Sequence, residues 1–216
     1  MTDYSARRTM MVDTQVRPSD VTKFPIIDAM LSTPRENYVP AGLREAAYIG
    51  ENLDIGGRVM LDPRTLAKML DALMIDTSDV VLDVGCGLGY STALLARMAQ
   101  FVAAIEEDED RANEAQQILS EDGIDNAAVM SGPMSAGVPK SGPYDIILIQ
   151  GAVETVPDAL LEQLRDGGRI AAIFAEGALG TVRVGHKIEG QVSWRYAFNA
   201  SAPLLPGFEK TSSFAL

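Results

Sequence analysis

The chain is short of cysteine, histidine and positive charge. Cys86 is the only cysteine among 216 residues, so no internal disulfide can form and a reducing, cytoplasmic setting is expected. One cysteine and one histidine, His186, cannot supply the four ligands of a structural zinc site. A lone histidine also argues against Ser–His hydrolase chemistry and reads better as a packing or surface residue. Eighteen Lys and Arg against 30 Asp and Glu leave a formal charge of −12. That balance disfavours a nucleic-acid partner and is repelled by anionic membrane surfaces. No run reaches the ~18 apolar residues of a membrane span. Met1 to Arg17 is polar, without an apolar core of signal-peptide length. A composition of 47% hydrophobic and 22% charged residues excludes a mostly disordered chain.

What is present is a change of pattern along the chain. The first third is helical and irregular. Ile26, Ile27, Met30 and Leu31 fall at helical spacing between Val21 and Leu31, and Pro34 closes that segment. Gly56-Gly57 reads as a flexible break. Asp62-Pro63 reads as an N-cap with proline at the first helical position, opening a helix with Leu66, Met69, Leu70 and Leu73 on one face. From Asp79 onward strands and helices alternate. Val80 to Val84, Phe101 to Ile105, Ala127 to Met130, Ile146 to Ile149 and Ile170 to Phe174 read as strands. Tyr90 to Gln100, Asp108 to Leu119 and Asp158 to Leu164 read as helices. Near-continuous apolar strands separated by helices predict a mostly parallel sheet covered on both faces. Thr181 to Lys187 and Gln191 to Phe198, joined through Glu189-Gly190, predict an antiparallel hairpin at the sheet edge. Met69, Met74 and Met98 read as core filling.

The segment Asp83-Val84-Gly85-Cys86-Gly87-Leu88-Gly89-Tyr90 joins a strand to a helix, where α/β sheets bind ligands. Its glycines permit a sharp turn and leave no Cβ in a ligand's way. The dinucleotide fingerprint would need glycine where Tyr90 stands, and no Gly-Lys-Ser/Thr follows to make a P-loop. The remaining pattern, acid-x-Gly-x-Gly-x-Gly, resembles the first motif of class I S-adenosylmethionine-dependent methyltransferases. Glu106 closes the second strand, where an acid can accept hydrogen bonds from both ribose hydroxyls, as in dinucleotide folds.

Flanking segments narrow the resemblance. Arg35-Glu36-Asn37-Tyr38-Val39-Pro40, Ala47-Tyr48, Ile55-Gly56 and Pro63 before a helix resemble protein-L-isoaspartate O-methyltransferases. So do Met11-Val12 with Gln15, Asn126, Tyr144-Asp145, and the turn from Gln163 to Arg169. The likeness runs from about residue 7 to about 175 and loosely into the C-terminal hairpin. It implies an α/β, Rossmann-like class I methyltransferase sandwich with an N-terminal helical extension. A single domain 1–216 is expected, divided into an acceptor-side segment 1–62, a cofactor-binding core 63–178, and a hairpin and tail 179–216. The implied cofactor is S-adenosyl-L-methionine, held by Asp83, Gly85, Cys86, Gly87, Gly89, Tyr90, Ser91, Glu106, Glu107, Gly132 and Met134. The implied reaction methylates the α-carboxyl of L-isoaspartyl residues in damaged proteins or peptides. A carboxylate with a pKa near ~4 is already ionised and needs no general base, so the protein mainly aligns the reactants.

Two departures stand out. The family carries hydroxyls before the proline that opens the helix, but here the Thr position is Val59 and the Ser position is Leu61. Each lost substrate hydrogen bond costs roughly 1–3 kcal/mol when its partner stays buried. Arg58 is either a compensating carboxylate-binding charge or a solvated side chain. The family's Gly-Asp-Gly after the third strand is here Ser131-Gly132-Pro133-Met134, without the acid near the adenine. Three alternatives to isoaspartyl methylation follow: another protein acceptor, a hydrophobic small molecule beside Val59, Met60 and Leu61, or a non-catalytic interaction protein that binds the cofactor. Cys86 sits at a helix start, where a thiol pKa can fall, yet it reads as a small loop residue.

Overall fold

A computed structural model describes residues 3–176 and 179–210. Residues 211–216 of the expected tail, and residue 178 at the expected core boundary, lie outside the described residues.

The N-terminal layer begins with α1 (Tyr4–Met11), capped by the Asp3 carboxylate accepting from the Ala6 N–H at 3.0 Å. It continues through a wider turn, Val12–Val16, that buries Val12 and Val16. Helix α2 (Phe24–Ser32) starts three residues later than the apolar spacing implied, because Pro25 occupies its first turn. Arg35–Tyr38 forms a 3₁₀ turn whose Arg35, Glu36 and Tyr38 are buried.

The Gly56-Gly57 break is the turn of a small hairpin, β1 (Leu53–Asp54) against β2 (Val59–Met60). Both glycines are left-handed, at φ 89° and 77°, and the Asp54 carboxylate accepts from both their N–H groups. Helix α3 (Pro63–Leu73) follows directly. Asp62 caps it through the Thr65 N–H at 2.9 Å, and Leu66, Met69, Leu70 and Leu73 face the core. Met74 ends the helix in the left-handed region and is 55% exposed, so it is not the core filler its type implied.

The α/β part runs β3 (Val80–Val84), α4 (Tyr90–Ala96), β4 (Phe101–Glu106), α5 (Glu109–Glu121), β5 (Ala127–Ser131), β6 (Tyr144–Val153), α6 (Asp158–Gln163) and β7 (Leu164–Glu176). Strands β8 (Leu179–Ile188) and β9 (Gln191–Asn199) complete one seven-stranded sheet, ordered β5-β4-β3-β6-β7-β8-β9. It is parallel from β5 to β7, and β8 and β9 are antiparallel. The expected edge hairpin forms, turning through Glu189 and Gly190 at φ 52° and 78°. Helix α4 stops at Ala96, short of Gln100, where the Asn126 amide donates to the Ala96 carbonyl at 2.9 Å.

Alternate residues of each strand face opposite sides of the sheet. Val81, Val102, Ile146 and Leu148 join the apolar cluster of the N-terminal layer, α3 and α4. Leu82, Val84, Ile147 and Ile149 join a second cluster with Leu160, Leu205 and Phe208. From β3 the chain winds outward through β4 and β5, then returns to place β6 on β3's other side. The strand order therefore reverses at β3, and the crevice beyond the carboxyl ends of β3, β4 and β6 is the position such sheets use for ligands. Among the described residues no helix is long and apolar enough to cross a membrane.

Candidate active site

The crevice is built from three strand ends. At the end of β3, Gly85, Gly87 and Gly89 all take positive φ (75°, 59° and 94°), a run that side-chain-bearing residues adopt only at a cost. The turn is pinned to β4 by the Gly85 N–H on the Ile105 carbonyl at 2.8 Å. A Cβ at Gly85 would collide with Nη2 of Arg58, and one at Gly87 would lie 2.8 Å from Ile55 Cδ1. Gly89 differs. Its missing Cβ faces Leu119 and Ala115 on α5, so this glycine lets loop and helix pack together.

Asp83 is fully buried under the loop. Its Oδ2 accepts from the Ser91 and Thr92 hydroxyls at 2.6 and 2.8 Å, while Oδ1 has no partner. Burial pushes its carboxyl up to about 6 despite those two donors and the nearby Gln150 amide. Cys86 is buried as well. Desolvation, with Asp83 and Glu106 nearby, raises its thiol well above the ordinary value, opposite to the lowering that a helix start can give. It is an unreactive loop residue.

Glu106, at the end of β4, is completely buried and four donors converge on it. Oε2 takes the Gly87 N–H at 2.9 Å and Arg58 Nε at 3.4 Å. Oε1 takes Arg111 Nη1 at 2.9 Å and the Glu107 N–H at 3.2 Å. Glu107 contributes that backbone group and is otherwise exposed. The Gly132 N–H donates to the Glu106 carbonyl, and buried Met134 lies beneath Gly85.

Arg58 is the largest departure from expectation. It is neither solvated nor held out for an acceptor. Only 8% exposed, it bridges to Glu106 and donates through Nη2 to the Gly85 carbonyl at 2.8 Å and the Gln150 carbonyl at 3.4 Å. Arg111, from the first turn of α5, clips the same region shut by donating to Glu106 and, at 2.7 Å, to the Gly56 carbonyl. Arg111 and Gln150 are the site residues that sequence reasoning missed, and Arg58, which it weighed only for the acceptor or for solvent, is instead turned onto Glu106. For Arg111 a signal existed, since its place just after the β4–α5 turn puts it within reach of Glu106.

The wall on the hairpin side is apolar, lined by Ile55, Val59, Met60, Leu61 and Leu66, with Leu61 only 1% exposed. Behind it Arg35 is wholly buried without a carboxylate. It donates to the Ala47 and Leu61 carbonyls at 2.7 and 2.8 Å and lies 4.6 Å from the Tyr90 ring centre. Glu36 accepts from the Tyr48 hydroxyl and from Arg8, and the Tyr38 hydroxyl donates to Asp122. The Arg-Glu-x-Tyr segment thus stitches the N-terminal layer to the wall of the site.

Asp83 Oδ1, the Tyr90 hydroxyl and Gln150 Nε2 are buried without partners. Such atoms are uncommon in folded proteins and each costs about 1–3 kcal/mol. The Gln150 amide lies close to Asp83 and Arg35 close to the Tyr90 hydroxyl, and all of them lie around the glycine loop. Only about 10 Å³ of free space remains there, against the ~300–1,000 Å³ of a typical ligand pocket.

A reversal of strand order, a glycine loop leading into a helix and a buried acid ending the next strand define a Rossmann-like nucleoside-binding sheet, the class to which the S-adenosylmethionine-dependent methyltransferases matching this chain belong. Within that class, the chain belongs to the protein-L-isoaspartate(D-aspartate) O-methyltransferase (PCMT) family, whose profile matches residues 7–198. It is 35% identical over 193 residues to a protein-L-isoaspartate O-methyltransferase of Koribacter versatilis (strain Ellin345), covering 89% of this chain and 87% of that one. It is 38% identical over 169 residues to the protein of the same name from Methylorubrum extorquens (strain PA1), covering 78% and 74%. A Plasmodium falciparum structure described as a candidate protein-L-isoaspartate O-methyltransferase, in complex with S-adenosyl-L-homocysteine, superposes with a TM-score of 0.79 at 18% identity, over 95% of this chain and 99% of that one. At that identity the likeness is one of fold.

The residues suit the class's methyl donor in kind: a glycine-lined backbone and a buried carboxylate at a strand end. The guanidinium of Arg58 lies in the same cradle.

Proposed function

We propose that this protein methylates the α-carboxyl of L-isoaspartyl residues in damaged proteins, as a one-domain cytoplasmic enzyme. The observation that carries the reading is the fully buried Glu106 carboxylate facing the Gly85–Gly87 backbone across the loop. In this reading Glu106 receives the ribose hydroxyls, Gly85 and Gly87 give the nucleoside room, Asp83 and Gln150 serve the methionine end, and Gly132 and Met134 border the adenine. The cofactor supplies an electrophilic methyl on a sulfonium. The acceptor carboxylate is ionised at neutral pH, so no side chain need remove a proton. The chain's work is to hold the reactants in line and exclude water, and alignment of this kind is worth ~7–11 kcal/mol of barrier.

The apolar wall at Ile55, Val59, Met60 and Leu61 supports water exclusion but offers no side-chain hydroxyl to the acceptor. That favours a second reading, a hydrophobic acceptor on the same scaffold. Labelled methyl transfer at saturating cofactor, to an isoaspartyl peptide and to its normal aspartyl twin, separates the two. Base-labile label on the isoaspartyl peptide alone is expected. Gly87→Val should abolish it and also lower the melting temperature, since φ 59° strains any side chain and a Cβ there would lie 2.8 Å from Ile55 Cδ1. Homocysteine-nucleoside binding without transfer to either peptide would move the acceptor to the second reading.

A further inference from the structure

Arg58 has no role in the proposed reaction, yet its side chain makes three hydrogen bonds inside the crevice. It takes Glu106 Oε2 and the Gly85 and Gln150 carbonyls, the acceptors that a cationic, hydroxyl-rich nucleoside would need. Its Nη2 fills the space that the absent Cβ of Gly85 leaves open. With Arg58 in place the crevice has room for at most one water. We propose that Arg58 is an internal competitor of the cofactor and that the β1–β2 hairpin carrying it is a gate, which must swing away from Glu106 before the nucleoside can enter. This rests on the cofactor site assigned under the proposed function.

The hairpin is made for such a motion. The two glycines of its turn are exposed, with nothing within 4 Å of where their Cβ atoms would stand, and the buried Ile55 beside them is the turn's apolar contact with the glycine loop. Its strands are two residues each. Besides Ile55, what holds the tip is polar: Arg58 on Glu106 and Gly85, and Arg111 bridging Glu106 to the Gly56 carbonyl. When Arg58 withdraws, Glu106 keeps Arg111 and the Gly87 and Glu107 N–H groups, so the acid is not left bare in the interior. An opening that strands no charge is cheap enough to be driven by a ligand.

The closed population sets the cost of binding. Apparent affinity equals intrinsic affinity reduced by the open fraction, so removing the competitor should tighten binding. The test is calorimetric titration of S-adenosylhomocysteine into the full chain and into Arg58→Met, which keeps the apolar stem but loses the donors. Arg58→Gln is a second variant in case the first does not fold. We expect either variant to bind at least about tenfold tighter than the parent, with a larger rise in melting temperature at equal ligand. In the parent, the Arg58 Nε–H resonance should be shielded from exchange in the free protein and lose that shielding on binding. Equal affinities, or weaker binding by the variants, would overturn the gate while leaving the cofactor site intact. An Nε–H still shielded in the saturated complex would do the same. No binding by any of the three proteins would instead remove the cofactor reading, and the gate with it.

Discussion

Asp83 lies in the interior with two hydroxyl donors on one oxygen, nothing on the other, and no cation paired with it. Burial holds its carboxyl near 6, well above the ~3.9 of an unfolded chain. The folded state therefore binds this proton more tightly than the unfolded one. Its contribution to stability is complete below about pH 4 and is lost as pH rises through about 6. Asp83→Asn keeps an acceptor for Ser91 and Thr92 and removes the titration. Its unfolding free energy from urea titration should exceed the parent's by most at pH 8, on the order of 3 kcal/mol at the upper limit, and by little at pH 4.5. An equal gain at both pH values would place the pH dependence elsewhere. At this scale the sequence was informative where a residue's chemistry is constrained by its neighbours in the chain. Glycines between a strand and a helix, and an acid ending the next strand, have few uses. Arg58 was opaque for the opposite reason. An arginine beside two turn glycines reads equally as a charge for an acceptor carboxylate or as a solvated side chain, and its burial depends on a partner 48 residues away.

The elements that were legible are those long enough to show a period. Helix α3 showed both its cap and its apolar face, and the parallel strands stood out as apolar runs. The β1–β2 hairpin did not, because two-residue strands have no alternation to see. Its placement depends on α3. Leu61 joins them directly, and the Asn52 side chain ties β1 to the Asp62 N–H at 2.9 Å. The cap of α3 is thus also the root of the proposed gate. Asp62→Ala should destabilise the chain by about 1 kcal/mol, within the ~0.5–2 kcal/mol span of lost caps. Asp62→Asn should be near neutral, and guanidinium unfolding of both reads the difference. If the two variants fell equally, the carboxylate would matter for its charge rather than as a cap for the Thr65 N–H.

Thirty acids against 18 bases make the whole molecule repel its own kind of charge. An isoaspartyl acceptor is itself an anion, so its approach runs uphill unless the surrounding peptide is basic. The field reaches ~30 Å at 10 mM salt and only ~8 Å at 150 mM. Raising ionic strength over that range should therefore increase kcat/KM for an acidic isoaspartyl peptide and decrease it for a lysine-rich one, with kcat unchanged in both. Opposite slopes on the two peptides are the necessary result, because a general salt effect on folding or on cofactor binding would move both in the same direction. If both slopes were flat, the excess acids would have to lie beyond screening distance of the acceptor, and the strand-end crevice would be a poor place for it.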